Sequence, residues 1–160
     1  MNSYHMRRKD RQITDPEMIG GVLRSGKYAV IALCRENEPY VVTLSYGYDE
    51  AGKALYFHCA PSGLKLEFIQ ANPCVCATVI QDQGYVPGQC EHRYISLVLR
   101  GRMTIINDLP GKKHGLDILL AHLEDDPAPI LARNIKDQAS YDRFVMLRMD
   151  ITECSAKQGS

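Results

Sequence analysis

The sequence predicts a mainly β fold of the α+β kind: a six-stranded antiparallel barrel with peripheral helices. Three observations carry this expectation. Runs rich in β-branched and aromatic residues recur at residues 28–34, 40–48, 54–58, 74–80, 92–106 and 142–154. The links between the early runs are short and hairpin-like. Strands and helices do not alternate regularly and no segment repeats, which argues against a parallel sheet.

The elements follow in order. Thr14, Asp15, Pro16 and Glu17 form a helix start, with a capping side chain, an early proline and an acid in the first turn. Met18, Ile19, Val22 and Leu23 then line one helix face, and Ser25-Gly26 closes it. The 28–34 run is almost continuously apolar, so both its faces are expected to be covered. Residues 35–39 turn the chain into the 40–48 strand, and residues 49–53 have hairpin chemistry before the return strand at 54–58. A short helix over 62–70 turns Leu64, Phe68 and Ile69 inward and stops at Asn72-Pro73. After the 74–80 strand, residues 82–91 hold two glycines and a proline and are expected to be a loop. The long strand 92–106 carries Gly101 as a bulge. Leu116, Leu119, Leu120 and Leu123 have the spacing of a helix face over 112–124, read as core or dimer packing. Residues 129–137 form a second short helix before the last strand. Residues 1–12 and 155–160 are expected to be tails of a single domain over 1–160.

Composition excludes several function classes. The chain has 160 residues, 19 basic and 19 acidic, for a net charge of zero. Phosphate-backbone binding needs a basic excess, so no nucleic-acid partner is expected. No apolar run approaches a membrane span, so no membrane partner is expected either. Residues 1–12 are polar and do not read as a secretory signal, which points to a cytoplasmic location and to six cysteines that stay thiols. The pair Cys74 and Cys76 is too closely spaced for a zinc knuckle, and Cys90 and His92 lack further ligands nearby, so no metal site is expected. Arg7-Arg8-Lys9-Asp10-Arg11 is a short charge run that reads as a solvated face or tail. Gly20-Gly21 does not follow a strand, so there is no dinucleotide fingerprint.

The most informative segment is Tyr56-Phe57-His58-Cys59-Ala60-Pro61-Ser62-Gly63-Leu64-Lys65. A strand ends at His58, small residues turn, and Lys65 sits on the first turn of a helix. Free N–H groups at a helix start, the helix dipole and an ammonium make a pocket for a phosphate. His58 at the strand end reads either as a structural histidine or as a group that holds a proton near neutral pH.

This order of elements resembles the flavin-binding split barrels related to pyridoxamine phosphate oxidase, and among them the nitroimidazole-resistance (Nim-type) branch. The resemblance rests on residues 6–11, on Pro39-Tyr40-Val41-Val42 leading to Ser45-Tyr46, and on the segment from Tyr56 to Lys65. Asn72-Pro73-Cys74-Val75-Cys76 and Tyr94-Ile95-Ser96-Leu97-Val98 ending at Gly101 continue it. It implies a split barrel, an FMN cofactor (with FAD as a variant) and a homodimer with the flavin at the subunit interface. It also implies residue roles. Val42, Thr43, Leu44 and Ser45 would run along the isoalloxazine edge, with His58 and Cys59 near the flavin or its ribityl chain. Lys65 would face the phosphate with Ser62 and the Gly63 backbone, and Ser96 would approach from the barrel wall. The phosphate-oxidase branch has an arginine where this chain has Leu64, and Arg93 is the candidate for that missing charge. Its tryptophan-containing substrate motif is also absent, since the chain has no tryptophan; pyridoxamine phosphate is therefore not the expected substrate.

The function this implies is an FMN-dependent oxidoreductase, with reduction of nitroimidazole-like compounds as the specific reading. His58 is its candidate catalytic residue and a small-molecule electron acceptor its partner. The alternative is a flavin- or haem-binding redox module that turns over no substrate of its own.

Overall fold

The computed structural model describes residues 6–159; residues 1–5 and 160 of the expected tails lie outside the described residues. Eight strands form one antiparallel sheet: β1 Gln12–Ile13, β2 Tyr28–Arg35, β3 Glu38–Ser45, β4 Gly47–Asp49, β5 Ala54–Cys59, β6 Cys74–Val86, β7 Glu91–Ile106 and β8 Val145–Gln158. The strand order is β3-β2-β6-β7-β8-β5-β4, with β1 added on β8. The sheet curls without closing, so the mainly β, split-barrel class expected from the sequence holds. Four helices accompany it: α1 Pro16–Ser25, α2 Leu64–Ala71, α3 Leu109–Leu123 and α4 Ala128–Asn134. No helix among the described residues is long and apolar enough to cross a membrane.

Strand alternation builds the core. Ala29, Ile31 and Leu33 of β2, Phe57 of β5, Leu97 and Leu99 of β7, and Leu147 and Met149 of β8 point into one cluster. Helix α1 adds Val22 and Leu23, and α2 adds Leu66, Phe68 and Ile69 to that same cluster. A second, smaller cluster lies on the other side of β5, where Ala54, Tyr56 and Met146 pack under Leu116 and Ile118 of α3. Side chains at alternate positions of a strand face opposite ways, so β5 separates these two clusters.

Several boundaries differ from the sequence reading, each for a local reason. Two strands are added to the expected six. β1 is a short pairing on the end of β8, and the 40–48 run breaks at Tyr46, whose amide bonds to the Lys27 carbonyl. Residues 82–91 are mostly hairpin rather than loop: β6 and β7 stay paired as far as Val86 opposite Glu91, with a register shift between Asp82 and Tyr85. Gly84 and Gly88 adopt positive φ there, which the turn and the irregularity require. Residues 155–158 are not a tail, because they pair with β7 and β1. The last strand starts at Val145, since Asp137 caps a short 3-10 helix, Gln138–Arg143, through a reciprocal bond pattern with Ser140. Gly101 sits at the expected bulge, where the β7–β8 register shifts. Leu64 and Met18 face outward, 44% and 42% exposed; Leu66 takes the inward position of α2 instead. β2 is covered on one face only, with Tyr28 at 59% exposure.

One close approach fixes α3. A Cβ on Gly47 would lie 2.5 Å from the Leu119 Cα and 2.6 Å from its nitrogen, so β4 and the α3 backbone are in direct contact. We expect Gly47→Ala to cost about 2–4 kcal/mol of stability, because a backbone must move. Urea unfolding checks this; an unchanged midpoint contradicts the packing.

Candidate functional site

The end of β5 places the first group of candidate residues. Phe57 and Cys59 turn into the barrel core, so His58 faces the opposite side and is exposed. Its ring meets Phe144 edge-on, with centroids 6.4 Å apart at 88°. Residues 60–63 then turn the chain into α2. Gly63 has φ 137°, a value that L residues avoid, and no atom would meet a Cβ there. Among the described residues no side chain caps α2; the Leu66 amide donates to the Gly63 carbonyl at 2.9 Å, which leaves the Leu64 and Lys65 amides as the ones a ligand could take. Lys65 is half-buried on this first turn, and Ser62 is exposed beside it.

Lys65 and Cys59 share this corner. Burial pushes the Cys59 thiol above its ordinary pKa, and the Lys65 ammonium draws it partly back. The thiol therefore stays protonated at neutral pH and packs as a small apolar group. Alkylation by iodoacetamide at pH 8 should modify exposed Cys74 and Cys90 well before Cys59, as read by peptide mass spectrometry. Equal rates contradict the buried thiol.

The β3 segment supplies a wall next to this corner, since β3 packs against β5. Val42 and Leu44 lean on the core, whereas Thr43 and Ser45 are exposed on the outer face. The ladders run Thr43 opposite Val30, Val30 opposite Thr78, Thr78 opposite Val98 and Val98 opposite Ser155. The outer face of β3, β2, β6 and β7 is thus one continuous surface. Tyr28, Val41 and Ile80 stand on it at 59%, 58% and 55% exposure.

Ser96 belongs to this outer face but not to the Lys65 corner. It pairs with Ile80 on one side and Lys157 on the other. His58 pairs with Met146 near the opposite end of β8. Arg93 is further out still and ion-pairs with Glu91 at 3.2 Å. Within one protomer it does not reach Lys65, so it does not replace the charge that Leu64 lacks there. Cys59, Ser62, Gly63 and Lys65 thus share the passage from β5 into α2, His58 opens on the opposite side of β5, Val42 to Ser45 lie on the strand packed beside it, and Ser96 stands apart with Arg93 beyond it.

The sequence reading missed a cleft. His58 lies at the edge of a space of about 480 Å³ between α3, α4 and the 3-10 helix before β8. Leu116, Leu120 and Leu123 of α3 face Ile130 and Leu131 of α4 across it, and Arg143 adds a charge. The leucine stripe was legible in the sequence. That part of it is left uncovered by the second helix depends on where α4 packs, and spacing alone does not give that. Among the described residues, no group of three His, Cys, Asp or Glu is placed to hold a metal.

Comparison with known proteins agrees with this architecture. A solved structure of a candidate 5-nitroimidazole antibiotic resistance protein from Bacteroides thetaiotaomicron superposes with a TM-score of 0.79 at 23% identity, over 98% of this chain and 96% of that one. A FAD-binding protein from Mesorhizobium loti gives 0.68 at 25% identity, over 94% and 98%. The flavocytochrome Anf3 of Azotobacter vinelandii gives 0.80 at 18% identity, over 97% of this chain and 72% of that one. Among curated proteins, an uncharacterized protein of Rhizobium meliloti is 30% identical over 103 residues. That match spans 64% of this chain and 62% of the relative, under two thirds of its length. The pyridoxamine 5'-phosphate oxidase family matches residues 15–158, nearly the whole sheet and all four helices, and the chain belongs to that family.

Proposed function

We propose that this protein is a flavin-dependent oxidoreductase that works as a homodimer, with FMN as the cofactor and a flat, apolar small molecule as the electron acceptor. The observation that carries the reading is the corner after β5, where a positive-φ glycine with open space around it, a helix start without a side-chain cap and the half-buried Lys65 follow one another. An anionic phosphate is the group such a corner stabilises. Membership of the pyridoxamine 5'-phosphate oxidase family and the likeness to a FAD-binding protein of Mesorhizobium loti support a flavin as its owner.

The residues divide the work. Lys65, the Leu64 and Lys65 amides at the start of α2 and the Ser62 hydroxyl would hold the phosphate. Thr43 and Ser45, together with the backbone of Val42 and Leu44, would lie along the ring edge. Cys59, neutral and buried, lines the corner without adding charge. The bound flavin would supply the electron-transfer chemistry. His58 would hold or deliver a proton at its ring nitrogen, since imidazole can do either near neutral pH. The apolar cleft beside His58 would orient the acceptor and exclude water. Nitroimidazole-like compounds are small and flat enough for it and are the first acceptors to test.

A single protomer leaves the outer face bare. Tyr28, Val41 and Ile80 form an exposed apolar surface of the kind that marks an interface. A second copy seated there would bring Ser96 and its surroundings to the other side of the flavin. This accounts for the separation of Ser96 from Lys65 within one chain.

Purified protein should take up FMN with a visible flavin spectrum and reduce a nitroimidazole with a chemical electron donor. Lys65→Ala should weaken FMN binding by about tenfold or more and leave turnover of the loaded protein nearly intact. His58→Ala should lower turnover by about a hundredfold with little change in FMN affinity. A bound flavin that is reduced but never reoxidised by an acceptor would favour a redox module. Protein that gains no flavin spectrum would overturn the reading.

A further inference from the structure

The charge run near the N-terminus is exposed, as expected of a solvated face, and part of it also borders a pocket. Arg7 and Arg8 line this space of about 250 Å³ together with Lys157, Ser96 and Ser155 of β7 and β8. The register explains the convergence. Ser96 pairs with Lys157 and Val98 with Ser155, so these side chains share one side of the sheet. β1 pairs Gln12 with the same Lys157, which carries the preceding segment across the opening.

The charge here is one-sided. Among the described residues, no carboxylate lines the pocket. Arg8 is bound to Asp10 through two bonds, of 2.9 Å and 2.5 Å. Arg7 has no ion pair among the described residues, and the Lys157 ammonium rests over the Tyr94 ring at 5.8 Å rather than on an acid. Ser96 is only 7% exposed, lines the pocket, and its hydroxyl has no hydrogen-bond partner among the described residues. That hydroxyl is therefore open to the pocket rather than sealed in the protein. Three cations, Arg7, Arg8 and Lys157, and the Ser155 hydroxyl line the same space.

We propose that this pocket binds the phosphate of a second organic phosphate, distinct from the headgroup held at Lys65. Its oxygens would accept from Ser96 and Ser155 and lie between the Arg7 guanidinium and the Lys157 ammonium. The volume admits a phosphate or diphosphate group but not a whole nucleotide, so the rest of the molecule would lie outside the pocket. Ser96 is also the residue that the proposed second copy would carry to the flavin, so the assignment of this pocket to a second molecule rests on the flavin reading, and the FMN-saturated arm below separates the two owners. If both hold, a phosphate-bearing electron donor is the class of molecule that needs such a grip.

The test is calorimetric titration with pyrophosphate in the Lys65→Ala background, which removes the competing corner. One saturable site should remain. Adding Arg7→Ala and Lys157→Ala should weaken it by at least about tenfold, with circular dichroism unchanged, and added salt should weaken it further. No saturable site, or a site indifferent to these two substitutions, overturns the proposal. A second arm uses otherwise unmodified protein saturated with FMN. Pyrophosphate that still binds supports a separate phosphate-bearing molecule; pyrophosphate excluded by FMN assigns the pocket to the cofactor's own phosphate and overturns it. Failure of the protein to bind flavin would leave the first arm intact.

Discussion

Much of this molecule follows from a single constraint: one sheet is wrapped around one core, and its other face must be covered by something else. Strand alternation commits every second side chain to the inside. Helices α1 and α2 send their apolar residues into that same interior cluster. On the outside, α3 covers β5 and β8, and residues 6–8 border β7 at Ser96. The outside of β3, β2, β6 and β7 is left with tyrosine, valine and isoleucine in the open. A bare apolar surface of this kind calls for a second copy or a bound molecule.

The same alternation sorts the chemistry. Along three residues of β5, Phe57 and Cys59 belong to the interior while His58 belongs to the cleft under α3 and α4. The turn that follows has to reverse direction within four residues, and Gly63 allows it by taking a conformation closed to other residues. The Lys65 corner and the cleft beside His58 are therefore neighbours in sequence but open on different sides of one strand. That arrangement suits a flat cofactor anchored at one end and approached at the other.

The fold was largely legible in the sequence because its signals are local. The Asp15-Pro16 helix start, the break at Asn72-Pro73 and the Gly101 bulge each follow from the chemistry of one or two residues, and each is where it was expected. Errors arose where pairing overrode local signals. Glycine-rich residues 82–91 read as loop, yet cross-strand bonding extends β6 and β7 through most of them. The polar residues 155–158 read as tail, yet β7 gives them a partner. Burial of β2 was overestimated because an apolar run does not say whether its second face is covered by its own chain or by a neighbour. For the candidate site, the corner from His58 to Lys65 was visible as a strand–turn–helix pattern. The cleft formed by α3 and α4 was not, nor was the return of Arg7 to Ser96, since both depend on packing between segments far apart in sequence.

The dependence of flavin binding on the second copy tests this account most directly. Tyr28→Glu combined with Ile80→Glu places charge on the bare face while leaving the interior core untouched. Sedimentation equilibrium with FMN absorbance would follow mass and cofactor together. The account predicts a dimer carrying two flavins for the unmodified protein, and for the double variant a folded monomer that has lost the flavin. A monomer that keeps its flavin as tightly as the dimer would contradict it.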